Sequence, residues 1–281
     1  MKHLSKIFVL LFLLMPLSQR LYAGLKEDVE YLSDPLLEGR GLGTRGSVEA
    51  SVFVMHRFRQ SGLECRMQFF STSRGIGRNI YAINRGNLRS DKYILVCAHY
   101  DGLGTINGNI YPGADSNASG VAVMLHLADS LAGSGSNFIF VALDAYSETL
   151  AGAEQFARLP FKLTKVLNID TIGSTLAPPN KYRPDFLIVL GGKKYEKELE
   201  KANEGLRLRL YYDYYRSKGF TDYFYTKISD QAPFLRKGIE SFMFTSGITM
   251  LTNKPEDAPS TLDFSVLERR AQLILNWIHS L

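Results

Sequence analysis

His99 and Asp101 stand one residue apart at the end of a short apolar run, Tyr93–Ala98. An imidazole beside a carboxylate can bind a divalent metal or move a proton. Further acids follow at places where an element begins or ends: Asp115 within Gly113–Gly120, Glu148 within Asp144–Ala153, Asp170 at the end of Lys165–Asp170, and Asp230 ahead of Gln231. Zinc takes just such nitrogen and oxygen donors, so His99, Asp101 and the acidic loop around Asp115 are a candidate metal or acid–base centre. Spacing alone fits a second reading equally well, in which His99 and Asp101 are a hydrogen-bonded pair at a strand end and Glu148 decorates the first turn of a helix.

These residues need elements that bring them to one place. Tyr93–Ala98, Phe138–Leu143 and Lys165–Asp170 read as buried strands, and Phe186–Leu190 and Ser241–Thr245 read the same way. Strands near Arg66–Ser71 and Asn79–Asn84 precede them. Helices are predicted at Gly24–Leu32, at Ser47–Ser61 with Ala50, Val54 and Phe58 in a stripe, and after Gly113–Gly120 with Val121, Met124, Leu125 and Ala128. A charged helix, Lys193–Glu204, a strand, Leu206–Tyr212, and a closing helix, Ser265–His279, complete the chain. Strands that alternate with helices make an α/β protein, and in an open α/β sheet ligands bind at the carboxyl ends of the strands. His99, Asp101 and Asp170 all fall at such ends.

The glycine-rich stretch Ser33–Thr44 lacks the Lys-Ser/Thr ending and the preceding strand of a phosphate loop. His56 on the first long helix and His279 in the last turn read as surface or packing residues. A concentration of aromatics, Tyr211, Tyr212, Tyr214, Tyr215, Phe220, Tyr223, Phe224 and Tyr225, reads as core or interface packing, with a pocket wall as the second option.

The chain of 281 residues is long enough to bury a large core, and no repeat divides it. Met1–Ala23 carries Lys2 and Lys6 ahead of the apolar run Ile7–Leu17 and ends in Leu21-Tyr22-Ala23, the pattern of a secretory signal peptide, or of an anchor if uncleaved. The run is too short to span a membrane as a helix. Of the formal charge of +5, Lys2, Lys6 and Arg20 supply three, which leaves +2 for the remainder and gives no support to a nucleic-acid partner. Two cysteines, Cys65 and Cys97, exclude a disulfide framework and read as free thiols.

Several ordered segments together resemble peptidase family M28, the zinc exopeptidases. Leu37-Glu38-Gly39-Arg40-Gly41-Leu42-Gly43-Thr44 is similar to the LeGRgxGT stretch that begins those domains. His99-Tyr100-Asp101 matches the HxD pair, and Gly113–Gly120 resembles a GADDNASG segment. Leu150–Ala153 registers a pair of adjacent glutamates, Leu167–Gly173 resembles the segment with a metal-binding Asp, and Ser229–Ile239 is similar to SDHxxFxxxGIP. Thr252–Asp257 corresponds to the HxxxD stretch with the last ligand.

The resemblance implies a three-layer α/β/α domain over 24–281 around a mixed, mostly parallel sheet, with zinc as cofactor and an aminopeptidase-like activity. It also implies departures. Of five ligand positions His99 and Asp170 are retained, whereas Ser116 takes the bridging place and Ser147 and Asn253 take two others. Tyr146 stands where the general base belongs, and Gln231 replaces the His of the SDH segment. Asp115 lies one position before the bridging place, and on a helix one residue turns a side chain by about 100°. Asp101 keeps the role of orienting His99. The expectation is a secreted or periplasmic protein that has lost two-zinc hydrolysis and retains a cleft for a peptide or other small ligand. The alternatives are an active metallo-aminopeptidase or amidohydrolase with one metal on His99, Asp115, Glu148 and Asp170; a metal-independent enzyme using Asp101, Asp115, Asp170 or Asp230; and an interaction domain without a working cleft.

Overall fold

The apolar runs become strands because each alternate side chain finds a different helical layer. In β6, Phe138, Phe140 and Ala142 enter one core while Ile139, Val141 and Leu143 enter another, and the whole strand is buried. A strand covered on both faces needs apolar residues at every position. That is why the central runs show no polar alternation.

A computed structural model describes residues 24–281, and the predicted signal peptide, Met1–Ala23, lies outside the described residues. The first half runs α1 (Leu25–Leu32), a 3₁₀ turn Pro35–Arg40, α2 (Arg45–Gln60), β1 (Glu64–Thr72), β2 (Gly75–Arg85), β3 (Lys92–His99), a small hairpin of β4 (Gly104–Ile106) and β5 (Asn109–Tyr111), and α3 (Gly120–Leu131). Then come β6 (Asn137–Leu143), α4 (Ala151–Phe156), β7 (Lys162–Ile169), β8 (Phe186–Leu190), α5 (Glu196–Ala202) and β9 (Arg209–Tyr211). The chain closes with α6 (Lys218–Tyr223), α7 (Ala232–Leu235), β10 (Glu240–Thr245) and α8 (Phe264–Ile278).

Eight strands form one mixed sheet in the order β1-β2-β6-β3-β7-β10-β8-β9. The four at its centre, β6, β3, β7 and β10, are mutually parallel. The chain leaves β3 for β6 on one side and then crosses to β7 on the other, so the carboxyl end of β3 is a switch point where a crevice opens. One face packs on α1, α2, α3, α5 and α8, and the other on α4 and α7. This is the expected α/β architecture.

Local chemistry sets the helix ends. The Thr44 hydroxyl accepts the Ser47 N–H to start α2, and Asp263 accepts the Val266 N–H to start α8. Trp277 on α8 is fully buried, with its ring edge-on to Phe242 at 4.8 Å. Two elements are shorter than the sequence predicts. The helix expected over Lys193–Glu204 begins as a 3₁₀ turn and is α-helical only over Glu196–Ala202. Its end is set by Asn203, whose amide exchanges hydrogen bonds with the main chain of Leu208, and this wrap also trims the following strand to Arg209–Tyr211. Among the described residues no helix is long and apolar enough to cross a membrane.

Candidate functional site

Parallel register places the two retained positions side by side. Cys97 of β3 pairs with Asn168 of β7, so two residues further on His99 meets Asp170, with Nε2 3.6 Å from Asp170 Oδ1. The other ring nitrogen, Nδ1, donates to the main-chain oxygen of Asp101 at 3.1 Å and lies 3.7 Å from its carboxylate. Burial alone would lower the His99 pKa, but Asp101 and Asp170 outweigh it and hold the imidazole well above its ordinary value. Both Asp101 oxygens also accept the Tyr146 N–H, at 3.1 and 3.0 Å.

His99 pairs with Leu143 across β3 and β6, and this brings the loop after β6 to the same edge. There the Tyr146 ring stacks on the His99 imidazole, with centroids 4.1 Å apart and planes 18° from parallel. Its hydroxyl donates to the Ile228 main-chain oxygen at 2.8 Å. Burial pushes the Tyr146 pKa well above its ordinary value, and the charges of Asp170 and Asp230 add to the effect.

The loop before α3 is pinned from two sides. Asp257 accepts the N–H groups of Asp115 and Ser116 at 2.7 and 3.1 Å. The Asn117 amide donates to Ile169 and accepts from Thr171, which joins the loop to the end of β7. Within this turn Ser116, not Asp115, reaches the cleft. Asp115 spends Oδ1 on Gly173 N–H and the Ser119 hydroxyl, while Oδ2 has no partner among the described residues. Burial pushes the Asp115 pKa up to about 7, and Asp257 contributes in the same direction.

A cavity of about 590 Å³ opens at this edge, and His99, Asp101, Ser116, Tyr146, Ser147, Asp170 and Asn253 all line it. The positions that the family resemblance registers as ligands and base therefore face one cleft. Glu148 is elsewhere: it accepts from the Ser73 hydroxyl and lies 3.5 Å from Arg74, on the β1–β2 turn. Gln231 is buried, where it accepts from Asn168 and donates to the Tyr225 carbonyl, and so ties β7 to the aromatic segment. Asp230 is 1% exposed and neither carboxylate oxygen has a partner among the described residues. Burial pushes its pKa up to about 7; His99 opposes this, and Asp170 and Asp101 reinforce it.

Sequence reasoning did not single out the anchoring roles of Arg40, Asn117 and Asp257, and it left the aromatic segment mainly to packing. Tyr214 and Phe224 in fact line the cleft. The density of aromatics was the available signal.

The donor set decides how well zinc would fit. A zinc site takes three or more imidazole, carboxylate or thiolate donors. Here His99 and Asp170 qualify, Asp101 is engaged by Tyr146, and the other positions offer two hydroxyls, a phenol and an amide. Among the described residues no group of three His, Cys, Asp or Glu is arranged to hold a metal ion. The residues present do not fit zinc.

The profile of peptidase family M28 matches residues 79–278. A search of curated proteins finds no match. Among solved structures, a zinc aminopeptidase from Bacillus subtilis superposes with a TM-score of 0.73 at 15% identity, covering 91% of this chain and 94% of that one. Porphyromonas gingivalis glutaminyl cyclase gives 0.70 at 17% identity, covering 92% and 97%. Fimbriiglobus ruber glutaminyl cyclase gives 0.73 at 18%, covering 90% and 93%. At these identities the likeness is one of fold.

Proposed function

The chain belongs to peptidase family M28, and from that premise we propose that its cleft binds a peptide or other small ligand without hydrolysing it by the two-zinc route. One M28 peptidase-like domain over 24–281 carries the cleft, exported to the periplasm or the exterior by Met1–Ala23. The observation that carries the reading is the convergence of Ser116, Tyr146, Ser147 and Asn253 on the same cavity as His99 and Asp170.

Zinc is expected of the family, where it supplies a Lewis acid and an activated water. This chain's residues are suited to other work. Asp101 and Asp170 hold the imidazole from both sides, and Tyr146 covers one of its faces. A tyrosine whose pKa burial raises well above its ordinary value, beside an imidazole that two carboxylates also raise, is a poor base. What remains is a cleft with polar groups at its floor and apolar walls, which is the usual form of a binding site.

Metal analysis together with assays of aminoacyl hydrolysis and of glutaminyl cyclase activity tests this. The expected result is zinc well below one equivalent and no chelator-sensitive turnover. Stoichiometric zinc with hydrolysis or cyclase activity that a chelator abolishes overturns the reading.

A further inference from the structure

The eight-stranded sheet ends differently on its two sides. β9 is three residues long, and the Asn203 amide wraps the chain that leads into it. β1 runs for nine residues, Glu64–Thr72, and pairs with β2 in an unbroken antiparallel register. Among the described residues it has no second strand neighbour. Edge strands are ordinarily blunted by brevity, a bulge, Pro or Lys. β1 has none of these, and its two charges, Glu64 and Arg66, neutralise each other with Nε 2.8 Å from Oε1.

The main-chain groups that face outward follow from the register. Arg78 of β2 gives its N–H to Asp144 and its carbonyl to the Tyr100 hydroxyl, both on the side away from β1. Arg78 is the partner of Phe69, so Phe69 and the alternate residues Cys65, Met67 and Ser71 turn their N–H and C=O groups to the open edge. Their side chains share one face of the sheet. Cys65 and Met67 pack against the core there, whereas Phe69 is 63% exposed and Ile76 of β2 is exposed beside it. The helix over this face continues the apolar surface. Phe53 of α2 stacks on Tyr31 of α1, and by helical spacing Val48, Val52 and Met55 turn away from that stack. Val48 and Val52 are exposed, and Arg59 on the same flank interacts with Cys65 of β1.

We propose that β1 is an interface between two copies of this chain, paired antiparallel about a two-fold axis at Gln68 so that two sheets become one. Cys65 then faces Ser71 and Met67 faces Phe69 of the second copy, each pair exchanging two main-chain hydrogen bonds. Glu64 and Arg66 fall opposite Thr72 and Phe70, so no like charges meet. The same pairing covers the exposed Phe69 ring with a methionine, a favourable contact for both. α2 packs on β1 and β2 alike, so strands about 4.8 Å apart put the two α2 axes at about the 8–10 Å of packed helices, flank to flank. Assembly stops at two, because the joined sheet has the short, wrapped β9 at each end. The surface is independent of what the cleft binds.

Sedimentation of the purified protein tests the surface. A dimer is expected at about 10 µM chain, and Phe69→Lys should raise its dissociation constant at least about tenfold while keeping a cooperative melt. Ser71→Cys tests the register. Residues 65 and 71 of one strand stand about 20 Å apart, so the introduced thiol can join Cys65 only between copies. Under mild oxidation this variant is expected to run as a cross-linked dimer, and the cross-link should vanish when Cys65→Ser is added. A monomer at about 100 µM overturns the proposal, as does a dimer that Phe69→Lys leaves intact. Failure of Ser71→Cys to cross-link, or a cross-link that persists without Cys65, overturns it too.

Discussion

Arg40 and Asp230 are both buried ionisable side chains beside the cleft, and their surroundings differ in kind. The Arg40 guanidinium donates to the main-chain oxygens of Leu32, Tyr100, Pro112 and Gly113. It ties the end of α1 to the end of β3 and to the loop that carries Ser116. Asp230 has no hydrogen-bond partner on either oxygen among the described residues. One charge is spent on holding the scaffold, and the other is held by the scaffold without being spent. The groups that shape the cleft are main-chain anchors outside it, such as Arg40, Asn117 and Asp257.

The most severe test of this contrast is Arg40→Met against Asp230→Asn. Losing Arg40 strands several buried carbonyls and is expected to cost on the order of 4 kcal/mol in denaturant unfolding. Asp230→Asn removes a desolvated charge and should change stability by no more than about 1 kcal/mol. Equal costs would dissolve the distinction.

A second, smaller effect lies in the scaffold's own ion pairs. Arg57 reaches Asp28 at 2.9 and 3.0 Å and Asp129 at 2.9 Å. Burial nevertheless pushes the Asp28 pKa from 3.8 up to about 6, against the opposition of Arg57. Between about pH 4 and pH 6 the folded protein thus keeps a proton that the unfolded chain releases. Stability from this group is full below pH 4, falls by about 3 kcal/mol as pH rises to about 6, and is level above. Melting curves of wild type and Asp28→Asn across this range should converge in slope only above pH 6; a wild-type contribution that rises over the interval would contradict the assignment.

The smallest expected effect is in the cleft. Tyr146→Phe removes the hydrogen bond to Ile228 and leaves the stack on His99, so about 1 kcal/mol of stability should be lost in thermal unfolding. A loss as large as that of Arg40→Met would make Tyr146 a scaffold residue.

Much of the architecture is legible in the sequence. Tyr93–Ala98, Phe138–Leu143 and Lys165–Asp170 are apolar at nearly every position, which only a strand covered on both faces requires, and they appear as β3, β6 and β7. His99 and Asp170 sit at their ends as read. Less legible was the destination of the acids. Asp115 and Asn117 lie in a turn of non-helical geometry, where Ser116 has φ −115° and Asn117 φ −137°, so a helical projection could not say which side chain meets the cleft. Glu148 faces a partner on the β1–β2 turn, a pairing of residues 75 positions apart. The aromatic segment divides between wall and packing: Tyr214 and Phe224 line the cavity, while the Tyr225 hydroxyl donates to the Ser241 carbonyl.

The order of residues alone determined the α/β class and the two polar side chains at neighbouring strand ends, because side-chain type and local periodicity are properties of the chain itself. Tertiary structure decided that Tyr146 lies flat on His99, that Asp115 serves the main chain and that Asp230 is left without a partner. Those outcomes depend on strand register and on contacts between segments far apart in sequence, where a shift of one residue exchanges the face a side chain meets.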